Sequence, residues 1–358
     1  MALIQTILFY LASTAFFFGP TLRINLFSVS IPIFDLLLSL YIFINLASKP
    51  KILNKYIILF IFWNFISYLL NLKNYGFSYQ NFFYLFKLTN LCLLLFTPIN
   101  ITKKQKKYFL IILFANILFG FIQYFFWPDL TNYKYFGWDP HLNRLTSTFI
   151  DPTFTALIFL LLLIFYFFTN PKSHILLPIY ISTALTYSRS TLLALSISSL
   201  YFSLKKKKNI KLLLKTLLLI IITIVVLPNN IGEGTNLKRT STIIAKYENY
   251  KQAINVIKQR PLLGHGYNNL ISIKKSANIY PDHSQSGFDS SLMTIASTSG
   301  IIGLTLFLFA FFKYFTSLTI CQKTAIISLL VHSLFANSLL YSWVIFSYSI
   351  LFNTKNHK

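Results

Sequence analysis

Long apolar runs separated by short polar stretches make up most of the chain. The runs fall at residues 3–18, 31–47, 56–72, 82–96, 108–127, 154–168, 175–187, 191–204, 212–227, 291–312, 324–339 and 342–352. They are continuous and do not alternate apolar with polar positions, so they predict helices rather than strands. An α-helix needs about 20 apolar residues to cross a bilayer, and several runs are shorter. We therefore predict an all-α, polytopic integral membrane protein with about 12 transmembrane helices, in a range of about 10–12.

Composition supports the same class of protein. The chain is 55% hydrophobic and only 11% charged, which is too apolar for an ordinary soluble domain. Its net charge of +24 comes from lysines in short connections between apolar runs, as membrane topology produces, so no nucleic-acid partner is predicted.

The lysine clusters predict how the runs cross the membrane. Counted from a cytoplasmic N-terminus, the even-numbered connections hold the clusters, and short cytoplasmic loops are enriched in lysine and arginine. These lysines are Lys49, Lys51, Lys55, Lys103, Lys104, Lys106, Lys107, Lys172, Lys205, Lys206, Lys207, Lys208, Lys211, Lys215, Lys313 and Lys323. Both termini are therefore predicted to be cytoplasmic.

The acidic residues and the arginines collect on the opposite side. We expect one membrane domain, residues 1–358, with a first outer loop at 128–153 and a large outer loop at 228–290. All five arginines are predicted outside: Arg23, Arg144, Arg189, Arg239 and Arg260. A planar guanidinium binds phosphate or carboxylate with two parallel hydrogen bonds, which lysine cannot do. Codon bias in a small sample is the alternative explanation.

Two of these arginines lie where the chain meets the membrane. Arg144 precedes an apolar run and either binds substrate or anchors the interface by pairing with Asp151. Arg189 lies at the tip of a short hairpin, near the outer interface. A charge at that depth is costly and indicates function.

The large loop contains a basic amphipathic helix and a glycine-rich turn. Apolar residues recur at helical spacing between residues 240 and 258, with lysines among them, which is typical of a helix on a membrane surface. Pro261 predicts the end of this helix at Arg260. Gly264 and Gly266 permit a tight turn, and His265 between them is expected to be a turn residue rather than a catalyst.

His283 and Asp289 are the candidate catalytic bases. Both precede the tenth apolar run, and either side chain suits proton abstraction from a sugar hydroxyl, although each is equally suited to capping the loop. The chain has no Asp-x-Asp, His-Glu-x-x-His or Cys-x-x-Cys motif, so we predict no metal and no cofactor.

Four short motifs resemble those of the O-antigen ligase/polymerase family, membrane glycosyltransferases that handle undecaprenyl-diphosphate-linked glycans. The likeness covers about residues 144–312. Its motifs are Arg144-Leu145-Thr146-Ser147-Thr148-Phe149 with Asp151-Pro152, Tyr187-Ser188-Arg189-Ser190, Arg260-Pro261-Leu262-Leu263-Gly264-His265-Gly266-Tyr267 and Gly300-Ile301-Ile302-Gly303.

One motif departs from the ligases of this family. They place a histidine, then Asn, Ser or Gln, nine residues before Gly-x-x-Gly. This chain has Asp289-Ser290 in that register, followed by Gly300 to Gly303, which resembles the polymerase branch more closely. His283 lies six residues earlier and remains an alternative base.

The resemblance implies a GT-C-like fold in the bacterial inner membrane, with the active face in the periplasm. An acceptor hydroxyl would attack a donor glycan linked to undecaprenyl diphosphate. Arg144, Arg189, Arg239 and Arg260 would bind the diphosphate, and His283 or Asp289 would act as the base. Membrane lipid, a chain-length regulator and a flippase are the other implied partners. The activity that we favour is a polymerase of O-antigen or capsule repeat units, acting in polysaccharide or lipopolysaccharide biosynthesis. A ligase of the same family is one alternative. A flippase or transporter, which would not be an enzyme of this family, is another.

Overall fold

The computed structural model describes residues 2–26, 29–48, 54–205, 210–229, 231–276 and 287–355, and over these residues the architecture is all-α. The helices are α1 Ala2–Phe17, α2 Ile33–Ser48, α3 Lys55–Tyr75, α4 Tyr79–Phe96, α5 Lys103–Phe126, α6 Pro152–Thr169, α7 Leu176–Ala184, α8 Arg189–Lys205, α9 Ile210–Val226, α10 Ser241–Gln259, α11 Leu270–Ser276, α12 Ser291–Ser317, α13 Ile320–Ser333 and α14 Ser342–Phe352. Short strands β1 Arg23–Leu26 and β2 Val29–Pro32 pair antiparallel, and β3 Ile99–Asn100 and β4 Thr354–Lys355 pair parallel.

Each predicted apolar run forms a helix, which supports a membrane-embedded all-α protein. Within the described residues, α3, α5, α6 and α12 are the 4 helices that are long and apolar enough to cross a membrane. The 9 residues of α7 rise only about 14 Å, half of a hydrocarbon core of about 30 Å. The total of about 12 transmembrane helices therefore stays a prediction.

Side-chain caps fix where several helices begin. Asp151 accepts hydrogen bonds from the main-chain nitrogens of Thr153 and Phe154, and Pro152 occupies the first turn of α6. Thr102 and Gln105 form a reciprocal capping box at the start of α5, as Thr319 and Gln322 do for α13. These caps satisfy backbone donors that a helix leaves unpaired at its N-terminus, so they set the entry points of the chain.

The core surrounds α6 and α14. Residues 155–162 of α6 and all of α14 are buried, and the two helices pack against each other. α6 also packs against α13, and α14 packs against α4. Because both helices are apolar on every side, neither has a face suited to water, and both are enclosed by the other helices.

α12 is broken at Gly300, whereas the sequence predicted one continuous apolar run from 291 to 312. Gly300 has φ 67° and ψ −175°, and the glycine-rich turn after α10 docks at this break. The nitrogen of Ile301 donates to the carbonyl of Pro261 at 2.7 Å, and that of Gly266 donates to the carbonyl of Thr298 at 2.8 Å. A Cβ on Gly300 would lie 2.1 Å from the carbonyl oxygen of Leu262. The two glycine motifs therefore form one packed unit.

Candidate active site

Arg144 lies in the loop before α6 and is only 9% exposed. Its Nε donates to the carbonyl of Thr186 at 2.9 Å, in the turn between α7 and α8. On another side its side chain meets the loop before α10, where a Cβ on Gly234 would lie 2.7 Å from the Cδ of Arg144. Arg144 therefore lies between the α7–α8 turn and the large loop, two segments that are far apart in sequence.

Arg189 is the first residue of α8 and connects that helix to the start of α10. Its Nη1 donates to the carbonyl of Arg239 at 2.6 Å, and its Nη2 donates to the hydroxyl of Thr242. The guanidinium of Arg239 turns back onto its own loop, where Nη1 donates to the carbonyl of Gly234 at 2.6 Å. Three of the four arginines predicted to bind diphosphate are thus brought together. Arg144, Arg189 and Arg239 form what we call the arginine cluster.

No carboxylate pairs with the arginine cluster among the residues that the structure describes. The two ion pairs among the described residues join Lys87 to Asp35 and Lys246 to Asp289. The nearest acids have other partners. Asp151 caps α6 instead of pairing with Arg144, and Glu233 accepts a hydrogen bond from Ser241.

The electrostatics of the arginine cluster reflect three neighbouring positive charges without a paired carboxylate. Burial and the positive charges of Arg239 and Arg189 lower the pKa of Arg144 to about 10, with Asp151 acting in the opposite direction. Burial and the charge of Arg189 also lower the pKa of Arg239, partly offset by Glu233. An anion bound here would relieve this repulsion, and a phosphate offers the planar pairing that guanidinium groups favour.

Arg260 lies outside the arginine cluster. Its Nη1 donates to the side-chain oxygen of Asn71, and its guanidinium stands 5.9 Å from the ring centre of Tyr75. Both partners lie at the C-terminal end of α3. The structure therefore places Arg260 where the end of α10 docks on α3.

Asp289 is held against α10 immediately before α12. Its Oδ2 is 3.2 Å from Nζ of Lys246, and its main-chain nitrogen donates to the side chain of Asn249 at 2.9 Å. The Asp289 side chain is 31% exposed, so it is accessible from outside the fold. The other candidate base, His283, lies outside the described residues.

α10 connects Asp289 to the arginine cluster. Thr242, the partner of Arg189, and Lys246, the partner of Asp289, are four residues apart and lie on one face of α10, separated by about 6 Å along the axis. The lysine that pairs with the candidate base thus lies one helical turn from the residue that Arg189 contacts.

Sequence reasoning missed the residues that hold Asp289 in place. In the sequence, Lys246 is one of several lysines on the predicted basic helix, and no motif contains Asn337. Asn337 lies in the turn after α13, where its Nδ2 donates to the carbonyl of Phe288 and its Oδ1 accepts from Thr294 at 3.1 Å. The four-residue spacing of Thr242 and Lys246 is visible in the sequence, but nothing there indicates which partners they have.

His265 is buried in the glycine-rich turn, in keeping with its predicted role as a turn residue. Its Nε2 is 3.0 Å from the carbonyl of Val256, and its Nδ1 is 2.9 Å from the hydroxyl of Tyr75. Because a carbonyl only accepts, Nε2 carries the proton and Nδ1 accepts from Tyr75. Burial lowers the pKa of His265, the Val256 carbonyl opposes this, and the charge of Arg260 lowers it further.

The arginine cluster and Asp289 together make up the candidate active site. Within the described ranges, no three His, Cys, Asp or Glu side chains are grouped as ligands for a metal ion.

Comparison with known families agrees with the character of this site. No curated protein matches the chain. Residues 173–308 match the family model described as O-antigen ligase, and this stretch contains Arg189, Arg239, Lys246 and Asp289. The match supports the O-antigen ligase/polymerase family of membrane glycosyltransferase-like enzymes for this helical, membrane-embedded protein, without distinguishing ligase from polymerase.

Proposed function

We propose that the protein polymerises undecaprenyl-diphosphate-linked repeat units of O-antigen or capsule at the periplasmic face of the inner membrane. The observation that carries this proposal is the arginine cluster without a carboxylate partner, connected to Asp289 through Thr242 and Lys246, which lie one turn apart on α10. The match of residues 173–308 to the O-antigen ligase model supports the same reaction class.

In the proposed reaction, a hydroxyl of the acceptor glycan attacks the anomeric carbon of the donor. A new carbon–oxygen bond forms to the acceptor, and the bond from the anomeric carbon to the phosphate oxygen breaks. Undecaprenyl diphosphate leaves with the electron pair of that bond. Arg144, Arg189 and Arg239 bind the diphosphate and stabilise the negative charge that grows on it.

Asp289 receives the proton of the attacking hydroxyl in this scheme. Lys246 holds the carboxylate through Oδ2, while Oδ1 accepts no hydrogen bond from the residues that the structure describes. Oδ1 is therefore the atom that we assign to the acceptor hydroxyl. Arg260 keeps a supporting role, docking α10 on α3 rather than contacting the diphosphate.

A ligase that transfers finished glycan to a lipid A core or to protein is the second candidate. The description of the matching family model favours it. The presence of Asp289 where ligases place a histidine favours the polymerase. A transporter is disfavoured because Lys87, a charge in the middle of α4, pairs with Asp35 at 2.7 Å and is not left to serve a pathway.

The test is the glycan profile of the native cell with the gene deleted and then restored. For a polymerase, the deletion leaves one repeat unit on the surface acceptor, and restoring the gene returns the ladder. Long glycans stranded on undecaprenyl diphosphate would identify a ligase instead. An unchanged profile of surface and lipid-linked glycans would refute both.

A further inference from the structure

A cavity of about 340 Å³ lies between α6, α7, α8 and α9. Its walls are almost entirely apolar and include Leu163, Phe168, Leu177, Leu195, Phe202 and Leu219. None of these residues belongs to the candidate active site.

The few polar side chains in the cavity wall are satisfied within the protein. The hydroxyl oxygen of Thr216 lies within hydrogen-bond distance of Ser199 Oγ, at 3.1 Å, and of the carbonyl of Leu213, at 2.8 Å. The hydroxyls of Ser198 and Ser199 donate to main-chain carbonyls of α8. The wall therefore presents no unmet hydrogen bond to an occupant, which suits a hydrocarbon chain.

The cavity lies toward the end of α8 remote from the arginine cluster. α8 begins at Arg189 and ends at Lys205, a rise of about 25 Å for its 17 residues. Three of the four cavity residues on α8, Ser198, Ser199 and Phe202, belong to the second half of this helix. A ligand in the cavity is thus separate from an anion bound at Arg189.

Lysines continue the cavity-lining stripes of α8 and α9. On α8, Lys205 follows Phe202 by three residues and lies on the same face. On α9, Lys211, Lys215 and Leu219 are spaced by four residues and also share a face. On each helix, the residues of this face thus change from apolar cavity lining to lysine within about one to two turns.

No acidic residue offsets these lysines locally in sequence. The chain has no Asp or Glu between Asp151 and Glu233, the segment that contains α6 to α9. Lys172 and Lys323 precede the cavity residues Leu176 and Thr324 by four residues and by one residue in the sequence. An apolar cavity rimmed by cations is complementary to a molecule with a hydrocarbon tail and a phosphate head.

We propose that this cavity binds an anionic phospholipid, with one acyl chain between α6 and α9 and its phosphate on Lys205, Lys211 and Lys215. The site is distinct from the arginine cluster and does not depend on the proposed function. By the predicted topology it faces the cytoplasmic leaflet, where basic pockets between helices recognise lipid phosphates.

The experiment is a native mass spectrometry titration of the purified full-length protein with phosphatidylglycerol and with phosphatidylcholine of the same chains. We expect phosphatidylglycerol to bind more tightly. Neutralising Lys205 and Lys215 together as Lys205→Gln and Lys215→Gln should weaken its binding by about fivefold per lysine. The matched control is Lys103→Gln with Lys104→Gln, exposed lysines at the start of α5, which should leave binding unchanged.

Filling the cavity tests the acyl chain separately. Leu219→Trp changes a half-exposed lining residue, so the fold should tolerate it, and it should reduce the binding of both lipids. Equal affinity of wild type for the two lipids, or equal loss in the lysine pair and its control, would overturn the proposal. Displacement of the lipid by glycerol phosphate alone would show a free-phosphate site and would equally refute a lipid site.

Discussion

Arg189 donates from Nη1 to the main-chain carbonyl of Arg239 at 2.6 Å, so one arginine of the cluster positions another. Its second terminal nitrogen bonds the hydroxyl of Thr242. Through these two bonds a single guanidinium joins α8, the loop before α10 and α10 itself. The position of Asp289, which Lys246 holds against α10, is therefore coupled to the geometry of the proposed diphosphate site.

Arg189→Lys should reduce glycan polymerisation by about 100-fold while the protein still inserts into the membrane. A lysine ammonium cannot bond the Arg239 carbonyl and the Thr242 hydroxyl in the same planar arrangement and offers a phosphate only a point charge. The glycan ladder in complemented cells measures the effect. Arg23→Lys is the control, because Arg23 bonds the Ser30 carbonyl away from the cluster. Wild-type activity of Arg189→Lys would refute paired phosphate binding.

Asp289→Asn should lower turnover by about 100-fold or more, because an amide cannot accept the proton of the attacking hydroxyl. Single-turnover assays on lipid-linked donor, at matched protein levels, measure this loss. Asp129→Asn serves as the control, because Asp129 bonds Thr131 in the first outer loop. His283→Ala should have the smaller effect. A larger loss of turnover in His283→Ala than in Asp289→Asn would make His283 the base. A small loss in both variants would place the base elsewhere.

Gly300→Ala should destabilise the protein by about 1–3 kcal/mol or more, because a side chain there meets both a left-handed φ and a close backbone contact. The added Cβ would lie 2.1 Å from the carbonyl oxygen of Leu262. Gly76→Ala is the matched control, with φ 72° and nothing within 4 Å of its Cβ. The melting temperatures of the purified variants give the comparison. An equal fall in melting temperature for the two variants would show that the contact of Gly300 with the glycine-rich turn contributes nothing to stability.

Acidification should destabilise the fold through His265. Its folded pKa lies below the ordinary 6.5, so the unfolded chain takes up a proton before the folded one does. The contribution of neutral His265 to the free energy of unfolding is fully present above the pKa of the unfolded chain. It is lost as the pH falls toward the pKa of the folded protein. Melting temperatures at about pH 7.5 and about pH 5.5 should differ more for wild type than for His265→Gln. An equal difference in the two proteins would contradict this assignment.

Removing divalent metal ions with EDTA should leave transfer by the purified protein unchanged. In the proposed reaction the arginine cluster supplies the positive charge that neutralises the leaving diphosphate. The measurement is the rate of glycan transfer before and after chelation, with magnesium restored as the control. A strict requirement for magnesium would contradict the proposed division of roles.

The sequence by itself determined the helices and several of their ends. Each apolar run became a helix because a continuous apolar segment satisfies its backbone only by internal hydrogen bonds once it leaves water. Pro261 set the end of α10 at Arg260, and Asp151 set the start of α6, because both effects act within a few residues. The types of side chain suited to an anionic substrate were also evident before any fold was known.

The tertiary structure alone decided which of those side chains meet. Arg144, Arg189 and Arg239 are far apart in sequence, and Arg260 looked equivalent to them until it proved to dock on α3. The break of α12 at Gly300 likewise required the turn at Pro261 as a partner. Local periodicity specifies only neighbours along a helix, whereas these contacts depend on how whole helices pack. That packing is set by shape and burial over the entire chain.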